Sequence, residues 1–489
     1  MHRIRAALHR VPLSLAVLLA VAAVLSLAWG LATAPLQGPD ESEHVAYVAH
    51  LAETGNIPSS TTGTSIYGLD ESGALYGLGY ARVLQDRSAR PPWSVVDEQD
   101  FRNYEAQLPS GAAGKGDGPN SVAKNPPLYY VYEAIGWKLT PGGRFFGRIF
   151  VLRLLSGLLL LATVVFTWLL AGEISRRRLP QTVAAGVVAV LPMAGFMSGI
   201  VNTDIGLTAI WACFVWLAVR TARVGLSWQR AGMLALLTVA SVLTHGRGLA
   251  LVPLLPLTLV VAWLRRRPSR RTSLLSGGAA AGVALAGLLA YKVITAGAGG
   301  GLYGGEVNLG NASAFSVRQF LSSIWQFYLP RLDSMQPRLG PAIGFRQVVV
   351  QQFLGGVFGS YEVYFPYWVY DTIQVVAVLL LVLLYTVLAV RFAEVRRRWP
   401  ALVILAAAAV CLLGFLHLAS YRALVNGGSD PLITGRYLLP LIPIVGTGAA
   451  AAFAGLPRRL EPVAAGLLLG SMSFLSMAGL ALTLERFYA

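Results

Sequence analysis

A chain of 489 residues that is 55% hydrophobic and 13% charged, with a mean hydropathy of +0.60, has too little polar surface for a soluble protein of that size. Its net charge of +16 invites a nucleic-acid partner, and the placement of that charge excludes one. Arginines gather between alternate apolar runs, at Arg3, Arg5 and Arg10, Arg176 to Arg178, Arg220 to Arg230, Arg265 to Arg271, Arg391 to Arg398, and Arg458 and Arg459. These stretches hold 20 of the 39 basic residues and three of the 23 acids, so the rest carries 19 bases against 20 acids. The excess is that of cytoplasmic loops, and it places the N-terminus inside.

A helix crossing a bilayer needs about 20 mostly apolar residues. Eleven such runs are predicted, at 11–33, 149–171, 181–200, 204–219, 231–245, 249–264, 274–293, 371–390, 401–419, 437–455 and 463–483. The fold expected is therefore an all-α polytopic membrane protein, one transmembrane module over 1–489, with the C-terminus outside. Ala32-Thr33-Ala34 imitates a signal-peptide cleavage site, but the apolar run is too long and Pro35 disfavours cleavage, so 11–33 is read as an uncleaved span. The fourth, fifth and sixth runs look short, and His245-Gly246-Arg247-Gly248 is read as a hairpin between the last two. Cys213 and Cys411 lie inside predicted helices and suggest neither a disulfide nor zinc.

Two long segments fall outside the spans, at 34–148 and 294–370, both on the external side. Loops this long are usually functional or disordered. The first opens with Gly38-Pro39-Asp40-Glu41 and a predicted helix from Asp40 to Glu53, ended by Gly55 and Pro58, and runs to Asn125-Pro126-Pro127-Leu128-Tyr129-Tyr130. The second holds a Gly-rich stretch from Gly297 to Gly305 and an aromatic helical run from Phe315 to Tyr328, followed by Leu329-Pro330-Arg331. Such aromatic density suits a headgroup-level belt or a lipid-lined groove. No internal repeat is evident, which weighs against an inverted-repeat transporter.

Charges this close to the bilayer are interface anchors or chemistry. Asp40 is placed to cap its helix, with Glu43 completing a capping box, or to act as a base; the two are compatible. His44 lies one turn on and shares that face. Asp204 lies at the start of the fourth run, level with Asp40. Lys124, Arg153, His245, Arg247, Arg346, Arg422 and Arg436 are the cations nearest span ends or motifs on this side. Guanidinium groups suit phosphate by geometry, although some of these will only snorkel to headgroups. External acids, external cations and aromatic loops fit transfer of a sugar from a lipid phosphate. That reaction needs a base for the acceptor hydroxyl and cations for the leaving phosphate, and no strong acid.

Pro35-Leu36-Gln37-Gly38-Pro39-Asp40-Glu41 followed by His44 resembles the P-x-Q-x-P-D-E-x-x-H signature of a family of bacterial membrane proteins within the C-type (GT-C) membrane glycosyltransferase superfamily. Pro126-Pro127-Leu128-Tyr129-Tyr130 is similar to its PPLYY motif, and Gly435-Arg436-Tyr437-Leu438-Leu439-Pro440 to its GRY-x-L-P motif. Phe365-Pro366-Tyr367-Trp368 is similar too. Two positions depart from the pattern. Leu243-Thr244-His245 stands where related proteins often carry a lysine, so Arg247 would have to supply that charge, and Asn125 replaces a common histidine.

The resemblance implies an external active site in a bacterial plasma membrane, a polyprenyl-phosphate sugar donor and Asp40 as catalytic residue. On that expectation the enzyme is an inverting glycosyltransferase acting on a cell-envelope glycan, lipid or protein. Asp40 and Glu41 are catalytic, and Arg436, Arg247, His245 and Lys124 hold the donor phosphate. His44, Asp204, Tyr129, Tyr130, Trp325, Tyr328 and Arg331 line the substrates, with Phe327 among the aromatics. The resemblance implies no particular cofactor, and a divalent cation, Mg or Mn, on Asp40, Glu41 and Asp204 stays open. The alternatives are a lipid-linked sugar flippase or transporter, and a surface-polysaccharide ligase or polymerase.

Overall fold

The computed structural model describes residues 11–59, 65–92, 94–109, 114–118, 121–297, 315–335, 344–425 and 433–489. Arg3, Arg5 and Arg10, and most of the Gly297–Gly305 stretch, lie outside these. The principal helices are α1 (Leu13–Ala32), α2 (Glu41–Thr54), α3 (Val95–Gln107), α4 (Leu128–Leu139), α5 (Phe145–Ile174), α6 (Arg178–Val190), α7 (Pro192–Ser198), α8 (Thr203–Val224) and α9 (Trp228–Thr244). They continue with α10 (Leu254–Arg266), α11 (Arg270–Gly297), α12 (Val317–Tyr328), α13 (Tyr367–Val390), α14 (Phe392–Arg397), α15 (Trp399–Val425), α16 (Ile442–Phe453) and α17 (Glu461–Tyr488). Short 3-10 turns at Gly246–Leu251 and Gly435–Leu441 lead into α10 and α16.

Among the described residues, nine helical stretches are long and apolar enough to cross a membrane, or ten if α6 and α7 form one broken span. The remaining predicted run is α9, only 17 residues long. All eleven runs thus coincide with helices, with three changes of shape. The third bends by 57° because Pro192 opens α7, where its ring and missing N–H interrupt the ladder. The fourth is not short: α8 continues to Val224, and Arg220 and Arg223 near its end pair with Glu173 of α5. The sixth also gains length, because the 3-10 turn extends α10 to a 21-residue stretch from Gly246 to Arg266.

The first long segment belongs to the core. Val45, Ala46, Tyr47 and Val48 of α2 are fully buried, and Tyr47 stacks on Tyr130 of α4 with ring centroids 3.6 Å apart. Trp29, Phe196 and Phe358 meet at 4.5 to 5.6 Å, joining α1, α7 and the second long segment. The GRYLLP turn lies against a π-helical stretch, Arg346–Gly355. Gly435 permits this approach, since a Cβ there would stand 2.3 Å from the Gln352 Cβ. Gly248 does the same for its turn, where a Cβ would collide with the Ser241 carbonyl. These two glycines set the positions of Arg436 and Arg247.

Candidate active site

The tetrapeptide after α1 sends its two carboxylates in different directions. Glu41, with no exposed surface, is gripped by Arg153 of α5 through two bonds, Nε to Oε1 at 2.8 Å and Nη2 to Oε2 at 2.7 Å. The same guanidinium donates to the carbonyls of Gly30, Thr33 and Ala34, the frayed end of α1. Glu41 Oε1 further accepts the Val201 N–H at 3.1 Å. All five guanidinium donors are therefore engaged, which is what a buried charge pair needs to persist. Glu41, expected beside Asp40 as catalytic, is here a buried clamp between α1, α2 and α5.

Asp40 takes the left-handed backbone conformation (φ +56°), which Asp tolerates better than most residues. Its carboxylate makes no cap bond to α2. The capping box does not form, because Glu43 Oε2 instead accepts from the Ser121 hydroxyl at 2.6 Å and from the Ser121 and Val122 backbone N–H groups. Asp40 Oδ2 accepts from Arg436 Nη2 at 2.6 Å, and the side chain stays 42% exposed. Burial pushes this carboxyl up, but the Arg436 guanidinium, aided by that of Arg247, outweighs it and holds the group below the usual carboxylate range.

Arg436 continues to Asp204, whose Oδ2 lies 3.6 Å from Nε. Asp204 is buried at the start of α8, where the cap is Asn202, whose Oδ1 accepts the Asp204 N–H at 2.8 Å. Asp204 Oδ1 also pairs with Arg247 Nη2. The result is an alternating row, Asp40–Arg436–Asp204–Arg247, drawn from four distant parts of the chain. Tyr437 packs beneath both cations, 3.7 Å from the Arg247 guanidinium to its ring centroid and 5.2 Å from that of Arg436. Arg247 Nη1 and Arg436 Nε are buried without a hydrogen-bond partner, so the row keeps donors in hand.

The other predicted residues separate into supports and outliers. His245 Nδ1 accepts from Arg247 N at 3.1 Å and Nε at 3.3 Å, so it orients that arginine. His44 Nδ1 meets the Tyr130 hydroxyl at 2.9 Å and Nε2 meets Asn202 at 3.4 Å. Burial lowers its pKa to about 4, keeping it neutral. Asn125, at the position of the family's usual histidine, donates to the same Tyr130 hydroxyl at 3.0 Å. Tyr129 is buried and takes the Asn202 N–H at 2.8 Å. Lys124 is exposed on a 3-10 turn and makes no ion pair among the described residues. Trp325 and Tyr328 lie on α12, against α15; Trp325 bonds the Pro330 carbonyl and Tyr328 bonds His417. Arg331 is exposed beyond them, and among the described residues no bond joins these three to the Asp40 row.

Several residues of the site carried no signal strong enough to single them out. Asn202 touches Pro39, His44, Asp204 and Tyr129. Glu133 is buried on α4 and accepts from Ser156 at 3.0 Å, which in turn meets Tyr129 at 2.9 Å. Burial raises its carboxyl to about 8. Its spacing of four from both Tyr129 and Trp137 puts it on their inward face, which is the cue available in the sequence. A divalent ion does not fit the acids once offered to it. Glu41 is neutralised by Arg153, Asp204 by two arginines and Asp40 by Arg436, and no cluster of three metal-ligating side chains occurs among the described residues.

No curated protein matches the chain. Similar solved structures include ArnT from Cupriavidus metallidurans in the apo state, with a TM-score of 0.45 and 16% identity over 92% of this chain and 61% of that one. ArnT bound to undecaprenyl phosphate gives 0.43 and 15%, with the same coverage. The oligosaccharyltransferase of Archaeoglobus fulgidus in the apo form gives 0.47 and 13%, over 96% of this chain and 56% of that one. The chain therefore spans about three fifths of the length of these proteins. Residues 24–445, which enclose the Asp40, Tyr130 and Arg436 motifs, match the family described as "Predicted membrane protein (DUF2142)", and the chain belongs to that family.

Proposed function

We propose that this protein is an inverting glycosyltransferase that moves a sugar from a polyprenyl-phosphate donor to a cell-envelope acceptor on the external face of the plasma membrane. The observation that carries the reading is the row Asp40–Arg436–Asp204–Arg247, in which the one carboxylate left partly open is that of the PDE motif. Buried Asp204 fixes both arginines, Tyr437 backs them, and Asp40 occupies the outer end.

In this reading the donor phosphate approaches Arg436 and Arg247 and competes with Asp40 for the guanidinium. Release from Arg436 removes the charge that depresses the Asp40 carboxyl and makes it a better base. Asp40 then takes the proton of the acceptor hydroxyl as its oxygen attacks the anomeric carbon from the side opposite the phosphate. The bond to the phosphate breaks, and the lipid phosphate leaves with both electrons and a charge that the arginines balance. Glu41 acts at one remove by holding the turn that aims Asp40. A transporter would want ionisable groups near mid-bilayer, whereas these lie at helix ends.

The test is sugar transfer by the protein in nanodiscs from radiolabelled polyprenyl-phosphate sugars, with Asp40→Asn beside the wild type. Turnover by wild type and loss in the variant are expected; equal turnover in both would remove Asp40 as the base.

A further inference from the structure

At the end of the bundle remote from Asp40, two cavities adjoin. The helices α5, α8 and α10 connect the two ends: α5 carries Arg153 near one end and Glu173 at the other, and α8 runs from Asp204 to Arg223. The first cavity, about 230 Å³, is walled by Arg223, Arg265, Arg266, Arg397 and Arg398, with Glu173 as its one acid. The second, about 260 Å³, is walled mainly by apolar residues of α13, α15 and α16, among them Val387, Leu402, Leu405 and Ala450. Ile174, Arg398 and Ala401 line both, so a polar and an apolar chamber share a wall.

The charges in the polar chamber are unequally committed. Glu173 is taken by Arg220 and Arg223, Arg266 donates to the Arg223 carbonyl at 2.6 Å and 3.1 Å, and Arg398 pairs with Glu394 at 2.9 Å. Arg265 and Arg397 make no hydrogen bond or ion pair among the described residues, yet both face the cavity. Loop arginines that only report orientation need not converge on a cavity, and cavities beside such loops need not be half apolar. Forked guanidinium groups facing a small chamber favour a phosphate, and the apolar chamber next to it suits acyl chains.

We propose that this is a binding site for an anionic phospholipid of the adjacent leaflet, with its phosphate between Arg265 and Arg397 and its chains against Leu402 and Leu405. The site stands apart from the Asp40 row and does not depend on the function proposed for it. Its consequence is a requirement for anionic lipid at the arginine-rich face.

Native mass spectrometry of the full chain, exchanged into phosphatidylglycerol or phosphatidylcholine, reads the retained lipid. Phosphatidylglycerol should be retained over phosphatidylcholine, and Arg265→Gln with Arg397→Gln should weaken it by at least about tenfold. Arg458→Gln with Arg459→Gln, exposed arginines outside both cavities, should leave it unchanged. Ala401→Phe, which fills the shared wall, should weaken lipid retention while leaving any competition by inorganic phosphate intact. Equal retention of the two lipids, or equal loss in the Arg458/Arg459 variant, would overturn the site. Displacement of the lipid by millimolar phosphate together with no effect of Ala401→Phe would assign the pocket to free phosphate instead.

Discussion

Asp40 and Glu41 are adjacent in the chain, yet they serve two electrostatic neighbourhoods of opposite character. The Glu41–Arg153 knot is closed: every donor of the guanidinium is used, both side chains are almost fully buried, and three of its bonds tie the end of α1 to α5. The Asp40–Arg436–Asp204–Arg247 row is open at one end and keeps two guanidinium nitrogens without a hydrogen bond. The saturated pair holds the fold, and in the proposed function the unfilled remainder is what a substrate would meet. What separates the two is a single left-handed residue, which turns Asp40 away from the helix that Glu41 begins.

The largest effect that would test this division is Asp40→Asn. Transfer should fall by about 10²- to 10⁴-fold with the melting temperature little changed, because the proton acceptor goes while an amide oxygen can still accept from Arg436, which keeps its pairing with Asp204. Arg153→Gln should behave in the opposite way. It leaves Glu41 buried and unpaired at a cost of about 3–5 kcal/mol, so thermal unfolding in detergent should show a much weaker protein. If Arg153→Gln folded normally and lost only turnover, the division between knot and row would fail.

Arg436→Gln should reduce transfer by about 10²-fold and move the acid limb of the pH–rate profile upward, since Asp40 loses the guanidinium that depresses it. A profile that moved downward would place Asp40 outside the reaction. A smaller effect concerns stability. His44 is neutral in the folded protein, with its pKa lowered to about 4 against 6.5 unfolded. The unfolded chain therefore takes up the proton first, and stability should fall as pH drops from about 6.5 towards 4. His44→Gln should flatten that part of the unfolding curve. The smallest change expected is from Tyr130→Phe, about 1 kcal/mol, for the hydroxyl shared by His44 and Asn125.

Spans could be read from the sequence because a bilayer demands long apolar runs, and α1, α5, α13 and α15 have them without interruption. The bend at Pro192 and the extension of α8 were less legible, since the first depends on where the chain repacks after the proline and the second on Glu173 accepting two arginines. Asp40, Asp204, Arg247 and Arg436 were named from motifs and span ends, and these four do converge. The division of labour between Asp40 and Glu41 was hidden, because it rests on a backbone angle and on Arg153, 112 residues away from Glu41. The acid Glu71 was equally hidden: it sits in a polar stretch that reads as surface, whereas both its oxygens are buried without a partner and burial raises its pKa well above the usual value. Trp325, Tyr328 and Arg331 were chosen for aromatic and basic character alone, which says nothing of the face on which α12 rests.

The depth at which α2 and α4 are seated carries a consequence for how a substrate gets in. Glu41 is locked to α5, Tyr129 is bonded to the start of α8 through Asn202, and Tyr47 lies flat on Tyr130. Lifting this segment would tear a buried ion pair and an aromatic stack from the core, so it is ill-suited to swing as a flap. What lies beside Asp40 is a side chain, that of Arg436, joined to it by one hydrogen bond. In the proposed reaction, admission would then turn on which anion Arg436 holds, its own aspartate or the phosphate of the donor.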